Sequence, residues 1–170
     1  MLRNGLVLIT FVLVGCTSTY MRSDQSSSTA KLQPDKTFAI ATPTNGSYGG
    51  KDYAGSGSST ATAVRAAFAK FARETNVIPD CQTLSCLTDK AGANADYLVV
   101  PEILHWEDRN TEWSGKKDQL EVRIAIYDAR SAKLLAASSL AGKSKWASFG
   151  GDHPQDLLAK PINDFVSGLF

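Results

Sequence analysis

Apolar residues recur along the chain with three spacings, and each predicts a different kind of element. Leu120, Val122, Ile124 and Ile126 alternate with Glu121, Arg123 and Tyr127 on the other face. That period of two predicts a strand with one buried and one wetter side. Val64, Phe68 and Phe71, with Ala61 and Ala72 beside them, follow the 3.6-residue period of a helix, and Arg65, Lys70 and Arg73 turn away. Ser59 or Thr60 would cap this helix, which would run to about Thr75. Leu158, Ile162, Phe165 and Leu169 make a second stripe, in a helix that starts near Pro154 and is kinked or restarted at Pro161. Continuous apolar runs give a short strand over Thr37 to Thr42 and a strong one over Asp96 to Trp106, where Pro101 implies a bulge or an edge position. Val77-Ile78 reads as a minimal strand and Leu84 to Ala91 as a short helix. A turn at Asp128 to Ser131 leads into a last strand, Lys133 to about Lys145, completing a meander. The order predicts an α/β (α+β) domain over residues 36–170: a mixed sheet of about four or five strands, with about three helices packed mainly on one face.

The start of the chain follows another pattern. Arg3 precedes an apolar run from Gly5 to Val14, too short for a hydrocarbon core of roughly 30 Å, which needs about 20 residues. The run closes on Leu13-Val14-Gly15-Cys16, which resembles the lipobox of bacterial lipoproteins. An ordinary cleavage site would want a small residue where Leu13 stands. The resemblance implies that residues 1–15 are a signal peptide and that Cys16 carries acyl chains on its sulfur and new amino terminus. Each buried methylene contributes about 0.8 kcal/mol, so two or three chains anchor stably. Thr17, where an Asp would favour inner-membrane retention, implies the outer membrane, with the domain facing the periplasm.

Composition changes the picture little. Removing residues 1–15 takes away Arg3 and leaves 17 basic and 17 acidic residues, a balance that argues against nucleic acid or anionic lipid as a bulk electrostatic partner. Residues 16–35, with Ser26-Ser27-Ser28-Thr29 at the centre, bury too little apolar surface to order themselves and read as a flexible tether, holding the domain about 20–25 Å from the bilayer. The element order is similar to that of small periplasmic α/β domains: lipoproteins that activate peptidoglycan synthases, curli-secretion-type lipoproteins, and the amino-terminal domain of the Tol-system propeller protein. The whole chain also resembles a lipoprotein family known only as a domain of unknown function, which carries no activity with it.

With Cys16 acylated, Cys81 and Cys86 remain, an even number in an oxidising compartment. Four residues between them suit a structural disulfide across a turn, with Cys86 in the first turn of the following helix, better than a redox motif. Zinc would need two more ligands, and the chain has only His105 and His153 besides its carboxylates.

Catalytic motifs fail one by one. Gly50-Lys51 lacks the other residues of a phosphate loop, since Asn45 and Asp52 stand where Gly and a hydroxyl are needed. Thr60 breaks a dinucleotide-type pattern begun at Gly55, and no Gly-x-Ser-x-Gly elbow exists. Glu102 and Glu107, five apart on one strand, should face opposite sides and cannot form a glycosidase pair. No catalytic residue, metal or cofactor is therefore assigned. One constellation remains. If the first strand is parallel to the one ending at Trp106, a single sheet edge gathers Tyr48 and Tyr53 from the Gly-rich loop with Trp106, Trp113, Trp146 and Phe149. A bland alternative makes Trp106 and Trp146 core caps. The sequence thus predicts a non-enzymatic, membrane-anchored accessory protein that docks an envelope protein through this aromatic edge. A module binding peptidoglycan or exported polysaccharide is the alternative, and a hydrolase of unrecognised type the third reading.

Overall fold

The computed structural model describes residues 17–25, 31–109, 117–145 and 153–170. In chain order the elements are β1 (Thr19–Asp24), β2 (Thr37–Ala41), β3 (Ser47–Tyr48), β4 (Lys51–Asp52), α1 (Ser56–Phe68), β5 (Glu74–Ile78) and α2 (Leu84–Ala91). Then follow β6 (Tyr97–Glu107), β7 (Gln119–Asp128), β8 (Leu134–Lys143), a 3-10 turn (Pro154–Leu157) and α3 (Ala159–Ser167). The main sheet has the order β1-β8-β7-β6-β2-β5, and β3 and β4 form a separate small hairpin. The class is the mixed α/β expected, with six strands in the main sheet instead of four or five.

Strand β2 lies parallel to both β5 and β6, whereas β6, β7, β8 and β1 run antiparallel in succession. Both faces of β2 are covered. Phe38 and Ile40 enter the larger core with Val64 and Phe68 of α1 and Ile162 and Phe165 of α3. Ala39 and Ala41 point the other way, onto Cys81 and Leu87 of the α2 side. Phe38 anchors the larger core, its ring centroid 4.8 Å from Phe68 and 4.9 Å from Tyr97. Burying each such side chain contributes about 1.5–3 kcal/mol. On β7 the alternation holds: Leu120, Val122, Ile124 and Ile126 are all buried in this core.

Three boundaries differ from expectation. Residues 19–24 and 31–35, inside the stretch expected to be a tether, belong to the folded domain. Strand β1 pairs antiparallel with β8 from Thr19↔Lys143 to Asp24↔Ser138, and Leu32 is buried in the main core. Most β1 side chains are exposed, so no apolar pattern marks it. Backbone pairing with the edge of β8 holds it, helped by Arg22 lying 5.0 Å over the Phe165 ring. Helix α1 begins three residues before Ser59, because Asn45 Oδ1 accepts from the Gly57 amide at 3.0 Å and supplies the missing cap from a distant loop. A Cβ on Gly57 would lie 2.2 Å from the Pro43 carbonyl oxygen, so only glycine allows that approach. The helix ends at Phe68, not Thr75, because Glu74–Ile78 is drawn into parallel pairing with β2.

The Cys81–Cys86 disulfide is formed, its Cα atoms 5.4 Å apart. Thr83 caps α2 by accepting from the Cys86 amide at 3.4 Å, which places Cys86 in the first turn of the helix. Among the described residues, no helix is long and apolar enough to cross a membrane. The chain-entropy model gives this short loop about 2 kcal/mol of stabilisation. Urea denaturation of the Cys81→Ser, Cys86→Ser double variant should show a loss near that size, and an unchanged midpoint would show that α2 packing alone fixes this corner.

Candidate functional site

The sheet end bounded by the close of β6, the start of β7 and the close of β8 carries the polar and aromatic residues of interest. Its geometry begins with a β-bulge. Strands β6 and β7 stay in register to Ile103↔Val122, after which His105 opposes Glu121, leaving Leu104 as the extra residue. Leu104 is 44% exposed. Beyond it the alternation of β6 is inverted. Trp106, opposite Leu120, turns into the core and is only 2% exposed, while His105 and Glu107 turn to the other face. Glu102 opposes Arg123 and Glu107 opposes Gln119, so the two carboxylates share a face. This corrects the expectation of opposite faces, which assumed an unbroken alternation.

Glu107 is 3% exposed, and a buried carboxylate is tolerable only when paired. Its Oε1 meets the Arg109 guanidinium and its Oε2 lies 3.3 Å from His105 Nε2. Above this ionic pair sits the β3–β4 hairpin. The Tyr48 ring stands edge-on to His105 with centroids 5.0 Å apart, and the Arg109 guanidinium is 5.9 Å from the Tyr48 ring centre. Trp106 fixes the hairpin's position: a Cβ on Gly46 would lie 2.5 Å from Trp106 Cβ. Only a bare glycine backbone can rest there. Tyr53 is half-buried against the core, and its hydroxyl donates to the Asp108 carbonyl at 3.3 Å.

A second polar group lies next to the first. His153 Nδ1 is 3.2 Å from Asp108 Oδ1, and this hydrogen bond, with the neighbouring acids, raises the His153 pKa above its ordinary 6.5. Asp118 accepts from the Arg109 amide at 2.6 Å, and its own amide donates to Ser144 Oγ at 2.9 Å. Burial pushes the Asp118 carboxyl upward, opposed by that Arg109 hydrogen bond. Among the described residues, neither imidazole is hydrogen-bonded to a hydroxyl or thiol, and no group of three or more His, Cys, Asp or Glu is placed to hold a metal ion.

Of the six residues predicted for an aromatic edge, Tyr48, Tyr53 and Trp106 lie at this end. Tyr48 is 42% exposed, Tyr53 is partly covered, and Trp106 is a core residue that offers nothing to a partner. Trp113, Trp146 and Phe149 fall outside the described residues, as does Cys16. Sequence reasoning missed Arg109, Asp118 and the Asp108–His153 pair, which are scattered through polar segments with no periodicity. Glu107 and His105 were noticed but set aside, because only the bulge brings them together.

A family model described as a domain of unknown function (DUF4823) matches residues 30–169. No curated protein sequence matches the chain. Among solved structures, the chain is similar to the PelC dodecamer from Paraburkholderia phytofirmans, with a TM-score of 0.65, 12% identity, and coverage of 89% of this chain and 96% of that one. Protein XCC0632 from Xanthomonas campestris, of the DUF330 family, gives a TM-score of 0.53 at 13% identity, covering 81% and 85% of the two chains. At such identities the likeness is one of fold.

The Asp108–His153 contact has a testable sign. A raised folded-state pKa means its stabilisation is complete below pH 6.5 and is lost as pH rises through the higher value. An NMR titration should place His153 above 6.5 in the parent chain, with Asp108→Asn returning it towards 6.5 and flattening the fall in stability over that window. Titration of His153 at or below 6.5 in the parent would contradict the pairing.

Proposed function

The chain belongs to the DUF4823 family, a domain of unknown function, and from that premise we propose that it is a lipid-anchored accessory protein of the bacterial outer membrane, facing the periplasm. It works by binding a partner at the Tyr48 end of the sheet, without catalysis. The observation that carries this reading is the exposed Tyr48 ring, held between His105 and Arg109 on a hairpin pinned to Trp106. Tyrosine and arginine on a rigid support are the side chains that most often anchor protein interfaces. The ionic groups around them are partnered with one another, an arrangement that supports positioning over proton transfer. Anchoring through Cys16 is supported by the Leu13-Val14-Gly15-Cys16 run.

Self-assembly is the second reading. It is favoured by the edge strands β1 and β5, each paired on one side only among the described residues, and by the dodecameric assembly of PelC, whose fold is similar. A photo-crosslinking residue placed at Tyr48 in intact cells separates the possibilities. Capture of a different envelope protein, abolished by Arg109→Ala, is the expected result. Products containing only this chain would favour self-assembly. Failure to capture protein, together with tyrosine and tryptophan fluorescence quenched by peptidoglycan fragments or exported polysaccharide, would move the assignment to glycan binding. Turnover of a cell-wall substrate by the purified chain would overturn the non-catalytic reading.

A further inference from the structure

The anchor and the candidate site lie at the same end of the sheet. The register runs in one row from Thr19 to Lys143, Lys143 to Gln119 and Gln119 to Glu107. The amino-terminal end of β1 is therefore level with the close of β6, three strands away or about 14 Å at the usual strand spacing. Thr17 and Ser18 line an open cleft of about 400 Å³ with Tyr20, Lys145, Asp156, Leu157 and Lys160. Only Thr17 and Ser18 separate Cys16 from Thr19, and the three residue-to-residue steps span at most about 10 Å. A leaflet's headgroup layer is itself roughly 5–7 Å thick. Lipid on Cys16 would therefore press this cleft against the bilayer surface, with no slack for the domain to stand off.

We propose that the cleft seats phosphate headgroups of the bilayer holding the anchor, so that the Tyr48 end of the sheet faces the membrane. The inference rests on the lipid-anchor reading above. The occupant is argued from where the undescribed amino-terminal segment joins the domain and from charge. Lys145 and Lys160 line the cleft, and exposed Lys143 stands opposite Thr19 on the neighbouring strand. Two acids temper this field. Asp164 pairs with Lys160 at 2.8 Å, and the Asp156 carboxylate accepts from the His153 amide at 3.1 Å. Asp164 and Lys160 are both largely exposed, so the ammonium can exchange that exposed partner for a phosphate oxygen. The half-buried Tyr20 in the wall of the cleft suits the glycerol region, and each lysine near an anionic surface shifts the seated population roughly fivefold. The seating also narrows the partner class: whatever binds at Tyr48 is a membrane-embedded protein or a polymer emerging at the membrane surface.

The test uses the full chain, expressed in cells, purified with its anchor and reconstituted in vesicles of phosphatidylethanolamine and phosphatidylglycerol. A fluorophore is placed through Gln155→Cys beside the cleft, or through Ser131→Cys in the turn at the far end of β7, roughly 30 Å away along the strand. Nitroxide-headgroup lipid is the quencher. Seating gives several-fold stronger quenching at position 155 than at 131, and Lys145→Ala with Lys160→Ala lowers the position-155 signal while 131 stays as it was. Acylated protein with equal quenching at the two positions, or lysine variants without effect, overturns the seating while leaving the anchor intact. Mass spectrometry showing unmodified Cys16 overturns the anchor reading, and the seating with it.

Discussion

One extra residue on β6 organises this end of the molecule. Up to Ile103 the strand obeys a simple alternation, with Tyr97 and Val99 packed under α1. Continued without interruption, that alternation would put Trp106 on the face away from the main core and His105 and Glu107 inside it. Burying an indole and leaving a carboxylate near water is far cheaper than the reverse. The bulge at Leu104 accommodates both demands at the cost of local pairing. Each further contact depends on the last: Trp106 supports Gly46, Gly46 positions the hairpin, and the hairpin holds Tyr48 against His105. Glu107, turned to the opposite face but still buried, is stabilised there by Arg109 and His105.

How much of this was legible depends on whether the determining forces were local. Strand β7, helix α2, the meander turn and the Cys81–Cys86 pairing follow from periodicity, capping and short-loop geometry, and all were readable. Asp128, for example, accepts from the Ser131 amide at 2.8 Å in the turn expected there. The parallel pairing of β2 with β6, inferred from crossover preference, is also present. What escaped notice was settled by distant partners. Strand β1 is polar because an edge strand needs only backbone pairing, so its sequence carries no apolar signature. The start of α1 is set by Asn45 and not by the nearest serine. At the candidate site, Pro101 hinted at a bulge, but the sequence did not reveal which residue it would displace. The consequence for Glu102, His105 and Glu107 therefore remained hidden.

The ordering of residues 19–24 alters the functional picture more than any other difference. A domain on a long tether samples orientations freely, and anchoring then supplies only local concentration. On the proposed anchor at Cys16, a first strand that starts at Thr19 would hold the domain in one attitude, with Tyr48 and its ionic support on the anchored side. Under that proposal, binding specificity and membrane attachment would become one geometric problem, met by the same end of one sheet. The similarity to the PelC chain is one of fold, and it leaves the choice of partner to the residues at that end.

The central claim, that the bulge builds this end, is tested most directly by urea denaturation of two variants at one position. Leu104→Ala removes an exposed side chain and keeps the extra residue, so its cost should stay within about 0.5–1 kcal/mol. Deleting Leu104 restores the alternation and drives Trp106 out of the core, which should cost at least about 3 kcal/mol, the scale of losing a buried tryptophan. Equal and small losses for both would show that Trp106 and the hairpin on it are held by something other than the bulge.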